Sequence, residues 1–351
     1  MLHHFGVHPG GWLDWGPIAP TLFFVLSGYL MFSSLEKLRA APGGVTLVSL
    51  VAFHLRRLAR LVPALYLLLA VGAALGTFYY IDNWLWHALF LSNVMMAFTG
   101  EWSGTLSHLW SLSVQEQFYL ICPVLLFFPA RWVVTMLFGV VAFAVGFRVA
   151  GILAGWSDMV RWLLLPASLD AFAMGALIAC ARRRGVRWLG RLAGWPALAG
   201  AAGAFAISRI LRHLEGTGNP FLALVEVFEV VAISLLLLTV LDCIRHPVTR
   251  LLALKPLADI GRISYGIFIW HMLVGVSLAP VLDSFSISVV AQPFLHVSLL
   301  VAASIGMAWL SWVSFEQPCV RWAAKASAVL GPVTNRWERW VAKSAQTNTN
   351  T

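Results

Sequence analysis

The sequence predicts an all-α fold: a polytopic transmembrane helical bundle of about nine spans. Three observations predict it. Of 351 residues, 60% are hydrophobic and only 11% are charged; apolar segments of spanning length recur along the chain; and the basic residues gather in alternate loops. A mean hydropathy of +0.82 overrides the soluble two-domain expectation that the length alone would give. A formal charge of +9 and 17 Trp would direct a soluble chain towards nucleic acid. In a membrane protein they belong to cytoplasmic loops and interfacial anchors, so the lipid bilayer is the expected partner and nucleic acid is not.

Apolar segments of about 20 residues, enough to cross the hydrocarbon, fall near 17–35, 61–80, 109–128, 132–154, 163–181, 193–210, 220–241, 259–281 and 294–315, with 84–98 as a shorter interfacial piece. Every second connection is basic: Arg56, Arg57 and Arg60; Arg131; Arg182, Arg183, Arg184, Arg187 and Arg191; Arg245, Arg250 and Lys255; then the C-terminal tail. The positive-inside rule puts the C-terminus in the cytoplasm and residues 1–16 outside. Met1 is followed by His3, His4 and a Gly/Pro-rich stretch instead of a signal peptide, so an outside N-terminus calls for one more span ahead of it. Residues 1–343 read as one integral membrane domain, and SAQTNTNT at 344–351 as a polar disordered tail. Cys122, Cys180, Cys243 and Cys319 match no metal-ligand or CxxC spacing and read as small apolar residues, so no metal is expected.

Polar side chains inside such spans are the candidates for chemistry, because each charged one costs about 2.5–3.5 kcal/mol to insert. The bland alternative throughout is a hydrogen bond that packs helices. In WSLSVQEQFYL, from residue 110, the helical repeat puts Ser111, Gln115 and Tyr119 on one stripe and Ser113, Glu116 and Gln117 on the next. Glu116 carries the substrate or proton-handling reading; Ser113 and Gln117 alone would read as packing contacts.

In ISYGIFIWHML, Ser264 and His271 are seven apart on one helical face, with His271 roughly 13 Å along the axis from Arg262, near mid-membrane. HLRRLARLVP sets Arg57 and Arg60 three apart at the cytoplasmic mouth of a span, a geometry suited to clamping phosphates or to plain topology. At the other side His3 and His4 precede an apolar span, where a neutral imidazole serves as a general base towards a hydroxyl.

Taken in order, these stretches resemble the acyltransferase 3 family of multi-pass bacterial membrane enzymes over nearly the whole chain. HHFG and LFFVLSGYLM are similar to its first block, FHLRRLARLVPALY to its basic block, and WSLSVQEQFYLICP to its WSLSVExQFYLLxP signature. LDAFAMGALIA, ISYGIFIWH and FEQP resemble three later blocks. Two departures stand out. The family's first span carries an arginine ahead of the histidine, which here would fall before Met1; restoring that span gives ten. Gln115 stands where the family usually has Glu, while Glu116 is turned about 100° from it.

The resemblance implies an acyltransferase for groups other than amino-acyl groups, in the bacterial cytoplasmic (inner) membrane. It implies transfer of an acyl group, often acetyl, from cytoplasmic acyl-CoA to a hydroxyl of a carbohydrate, glycolipid or macrolide-like acceptor. Acyl-CoA is then a donor substrate, and no permanently bound cofactor is expected. His4 is assigned as the general base, with His3 as its alternative and Glu116 as a further catalytic candidate. Arg57 and Arg60 hold the donor phosphates; Ser113, Gln115, Gln117, Ser264, His271 and Glu316 line or support the path. The rivals are a transporter or channel and a catalytically inactive relative.

Overall fold

On α1 (Ile18–Arg39), Leu22, Leu26 and Leu30 recur once per turn and are 48, 37 and 50% exposed, while Phe24, Val25 and Met31 on the other side are buried. A leucine stripe turned outward is stable only against hydrocarbon, and the same pattern recurs on the other long helices.

The computed structural model describes residues 18–41, 45–76, 82–213, 220–289 and 291–330; all regular structure among them is helical. The candidate bases His3 and His4 and the tail 344–351 lie outside these residues. Among the described residues, seven stretches are long and apolar enough to cross a membrane: Ile18–Arg39, Leu47–Ala74, Ala130–Leu153, Asp158–Arg183, Ala223–Asp242, Ser264–Ser284 and Pro293–Ala326. The expected spans at 109–128 and 193–210 are helical too, but the first is only 13 residues of α-helix and the second ends in Arg209 and Arg212.

The helices divide into two units, one comprising Glu36–Asp82 with the chain from Ile260 onward, the other the chain up to Leu35 with Asn83–Asp259. In the smaller unit α2 (Leu47–Ala74) starts well ahead of the expected 61, because Thr46 and Ser49 close a reciprocal capping box. Arg57 and Arg60 therefore lie within a continuous helix. Pro63 removes one backbone donor from its interior.

The larger unit continues with α3 (Trp84–Ala88), α4 (Ser92–Thr99), α5 (Leu109–Ile121), α6 (Ala130–Leu153), α7 (Asp158–Leu163), α8 (Leu165–Arg183), α9 (Arg187–Leu192), α10 (Trp195–His213), α11 (Ala223–Asp242) and α12 (Pro247–Leu252). Pro123 ends α5 by removing the next donor, and a 3-10 turn (Cys122–Phe127) follows. Val133 and Leu137 of α6 pack on Ala173, Ala176 and Ala179 of α8 with Phe32 of α1. Small residues Ala201, Ala204 and Ala232 bring α10 and α11 together.

The smaller unit resumes with the end of α13 (Lys255–Arg262), then α14 (Ser264–Ser284), α15 (Pro293–Ser311) and α16 (Gln317–Leu330). The expected span at 259–281 is thus broken at Ile263. Between α15 and α16 the five residues Trp312–Glu316 form a π-turn, and the Gln317 N–H reaches back to the Trp312 carbonyl. Pro318, two residues past Glu316, lacks the donor an α-helix would need there, which favours the wider turn.

Candidate active site

In the smaller unit the site grows from α2. Arg57 and Arg60 are half-buried on successive turns. The π-turn ends on Glu316, 1% exposed, whose Oε1 accepts from Ser311 Oγ at 2.9 Å. Its carboxyl lies within electrostatic reach of Arg60. The basic block and FEQP, more than 250 residues apart in sequence, thus form one charged centre. Beside it the Tyr265 hydroxyl donates to the Leu61 carbonyl at 2.7 Å, tying α14 to the part of α2 that Pro63 weakens. His271 is buried on α14 and its Nδ1 donates to the Phe268 carbonyl at 2.7 Å. Ser264 opens α14 and is exposed, so it does not join His271 in a buried lining: seven residues restore the angle, but the bundle no longer covers the helix end.

The signature helix α5 belongs to the larger unit. Its polar face holds α3 and α4 in place. Ser113 Oγ accepts from the Ser92 N–H at 3.2 Å. The Gln117 amide donates to the Phe90 carbonyl at 3.0 Å and to Asn93 Oδ1 at 2.8 Å. Asn93 Nδ2 donates in turn to Gln117 Oε1 and to the Leu163 carbonyl. These bonds give the expected interfacial piece a buried polar seam. His87, 1% exposed, shares it through a 2.8 Å bond between Nδ1 and Ser92 Oγ; burial lowers its pKa to about 4, so the ring is neutral.

Gln115 donates its amide to the Tyr119 hydroxyl one turn on, and its Oε1 is buried without a hydrogen-bond partner. Glu116, a neighbour turned away from it, is half-buried.

A second charged centre in the larger unit escaped the sequence reading. Arg148 of α6 pairs with Asp170 of α8 at 2.6 Å and also donates to the Ala167 carbonyl. Arg209 and Arg212 of α10 both pair with Glu229 of α11, the second at 3.1 Å. Glu226, one turn before Glu229, lines a cavity with Arg148, Asp170, Ser168, Thr21, Trp110 and Trp162. The two tryptophans stack at 5.7 Å. Arg148 stood in plain view inside an apolar run, and Asp170 inside LDAFAMGALIA; an unpaired charge in a span was the signal that could have found them.

A family model for an acyltransferase domain matches residues 1–313. Relatives include the peptidoglycan O-acetyltransferase OatA of Listeria monocytogenes, 28% identical, with 88% of this chain and 52% of the relative aligned. The O-acetyltransferase OatA of Staphylococcus aureus is 25% identical, over 97% of this chain and 58% of its own length. A putative peptidoglycan O-acetyltransferase, YrhL of Bacillus subtilis, is 28% identical over 88% and 51%. The chain therefore spans little more than half the length of these relatives. No solved structure matches it significantly. Six motif blocks in order, a lipid-facing all-helical bundle and a family match over most of its length lead to one conclusion: the chain belongs to the acyltransferase 3 family.

Proposed function

We propose that this chain is a membrane O-acyltransferase that moves an acetyl group from cytoplasmic acyl-CoA to a hydroxyl of a carbohydrate, with peptidoglycan the first acceptor class to test. The observation that carries the reading is the family match over residues 1–313, joined by relatives named as O-acetyltransferases, that of Listeria monocytogenes as a peptidoglycan O-acetyltransferase.

The geometry supports the donor half. Two arginines one turn apart suit the spaced phosphates of a nucleotide-bearing thioester, and Glu316 adds a carboxyl within electrostatic reach of Arg60. On the positive-inside pattern this end of α2 faces the cytoplasm, where acyl-CoA is found.

In the acceptor half, His4 takes the proton of the attacking hydroxyl as it bonds to the thioester carbonyl carbon. The carbon–sulfur bond then breaks, and the proton goes to the departing thiolate. His3 is the alternative base. Glu116 is a further candidate for handling the substrate or a proton, and Gln115 for supporting the path.

The test is to reconstitute the chain in proteoliposomes with radiolabelled acetyl-CoA and a panel of peptidoglycan fragments, glycolipids and macrolides. Label should appear on a sugar hydroxyl and disappear in His4→Ala. Transfer that survives in both His4→Ala and His3→Ala overturns the base assignment, and transport of intact substrate without transfer overturns the enzyme reading.

A further inference from the structure

We propose that the cavity between Arg148, Asp170 and Glu226 is a subsite that takes one neutral polar substituent of the acceptor sugar. The proposal rests on the carbohydrate reading above and deepens it by naming where the sugar is recognised.

Six elements of the larger unit converge here, four through their first turns and two near their last residues. Pro20 and Thr21 come from the first turn of α1, Trp110 from the second residue of α5, Arg148 from the last turns of α6, and Trp162 from α7. Ser168 and Asp170 lie in the first turns of α8, and Glu226 in the first turn of α11. Arg182 and Arg183 mark the opposite end of α8, so on the positive-inside pattern the cavity opens on the side away from the cytoplasm.

Part of this cluster is explained by packing. Arg148 satisfies Asp170 and the Ala167 carbonyl and so pins α6 to α8. Glu229 pairs through its Oε1 with both Arg209 and Arg212 and so ties α10 to α11. Glu226 is not explained in that way: it closes no ion pair among the described residues, yet it stands half-buried in a span and lines the cavity. Arg148 keeps a buried Nε without a hydrogen-bond partner. A buried donor left unsatisfied, as the Arg148 Nε is, costs stability and persists where something else uses it.

The chemistry selects the occupant. Three arginines face three carboxyl groups, Asp170, Glu226 and Glu229, so the formal charges balance. An anion such as a phosphate would meet two carboxyl groups at the cavity wall, and a cation would meet the Arg148 guanidinium. A neutral group that both donates and accepts finds a partner on each side: Asp170, Glu226, Ser168 and Thr21 to accept, and Arg148 to donate. The cavity volume of ≈ 30 Å³ has room for about two waters. It therefore fits a hydroxyl, hydroxymethyl or amide arm and excludes a whole ring. The remaining wall is aromatic: Trp110 stacks on Trp162 and meets Phe24 edge-on at 6.0 Å. Apolar faces of sugars pack on such walls while their hydroxyls reach the polar groups.

The experiment compares the full chain with Glu226→Gln and Glu226→Leu in proteoliposomes, using acetyl-CoA and an N-acetylglucosamine–N-acetylmuramic acid disaccharide. Expected for Glu226→Gln is a rise in disaccharide KM of roughly tenfold with acetyl-CoA KM unchanged, and a larger rise for Glu226→Leu. On the wild type, one of the singly deoxygenated disaccharides should lose a similar factor, and that loss should vanish in Glu226→Leu. A disaccharide KM within twofold of wild type in both variants overturns the proposal. If the wild type transfers no acetyl group, the function reading fails by itself, and equilibrium binding of radiolabelled disaccharide decides the subsite. Binding weakened by Glu226→Gln upholds it; binding that is absent or indifferent to the substitution overturns it.

Discussion

Gly28 of α1 lies directly against Phe172 of α8: a Cβ built on Gly28 would fall 2.0 Å from the Phe172 carbonyl oxygen, and one on Gly175 would fall 2.0 Å from the Val25 carbonyl oxygen. The two glycines let the helices touch backbone to backbone, which sets Phe24 and Thr21 beside the Asp170 cavity. Backbone cannot swing aside as a side chain can. Gly28→Ala is expected to destabilise the chain by about 3 kcal/mol, read as thermal stability in detergent. Gly203→Ala, where a Cβ meets nothing within 4 Å, should be neutral or gain up to about 1 kcal/mol of helix propensity. Equal effects at the two positions would refute the close-approach argument.

Arg60 and Glu316 should act together on the donor. Glu316→Gln keeps the shape and the bond from Ser311 but removes the charge opposite Arg60. Acetyl-CoA KM should rise several-fold, and in Arg60→Ala by about tenfold or more, while acceptor KM stays put. The double variant should be no worse than Arg60→Ala alone, because both changes remove one interaction.

His87 predicts an acid limb of stability. Burial depresses its folded pKa to about 4 from the ordinary 6.5, so the unfolded chain takes up a proton first as pH falls. The contribution is complete above pH 6.5 and is lost progressively down to pH 4, up to about 3 kcal/mol in all. Thermal unfolding between pH 7.5 and 4 should show this slope in the wild type and a flatter one in His87→Gln. An identical slope would exclude His87 as its source.

Gln115→Glu tests the amide in the signature helix. The Tyr119 hydroxyl, which now accepts from Gln115, can turn and donate to a carboxylate instead, so the pair survives the change. Transfer is expected to rise several-fold, with a stability loss of about 1–2 kcal/mol for burying a carboxylate. Lower activity in a folded variant would show that the amide is the group required.

The helical membrane class, the positions of the long spans and the short piece at 84–98 were legible because hydropathy reads directly on burial in lipid. Partners were not. Periodicity gave the face on which Ser113 and Gln117 lie, but nothing local said that α3 and α4 would cover it. Arg148 and Asp170 are 22 residues apart and meet only because α6 and α8 pack. Arg60 and Glu316 are further apart still. The break at Ile263 and the π-turn at Trp312–Glu316 had equally weak signals, Pro318 being the only local one. Of the candidate site, the motif blocks marked Arg57, Arg60, His271 and Glu316, whereas Glu226 lies in no block and required the cavity to reveal it.

The two most apolar of the seven candidate spans, Ala130–Leu153 and Ala223–Asp242, are the ones that carry Arg148 and the pair Glu226 and Glu229. During synthesis Arg148 enters the bilayer before Asp170 exists, and must be carried for a time by its own helix at about 2.5–3.5 kcal/mol. The surplus of leucine, valine and phenylalanine around it makes that order of assembly feasible. Polar substitutions on the lipid-facing side of either helix should therefore impair biogenesis without touching the finished protein's chemistry.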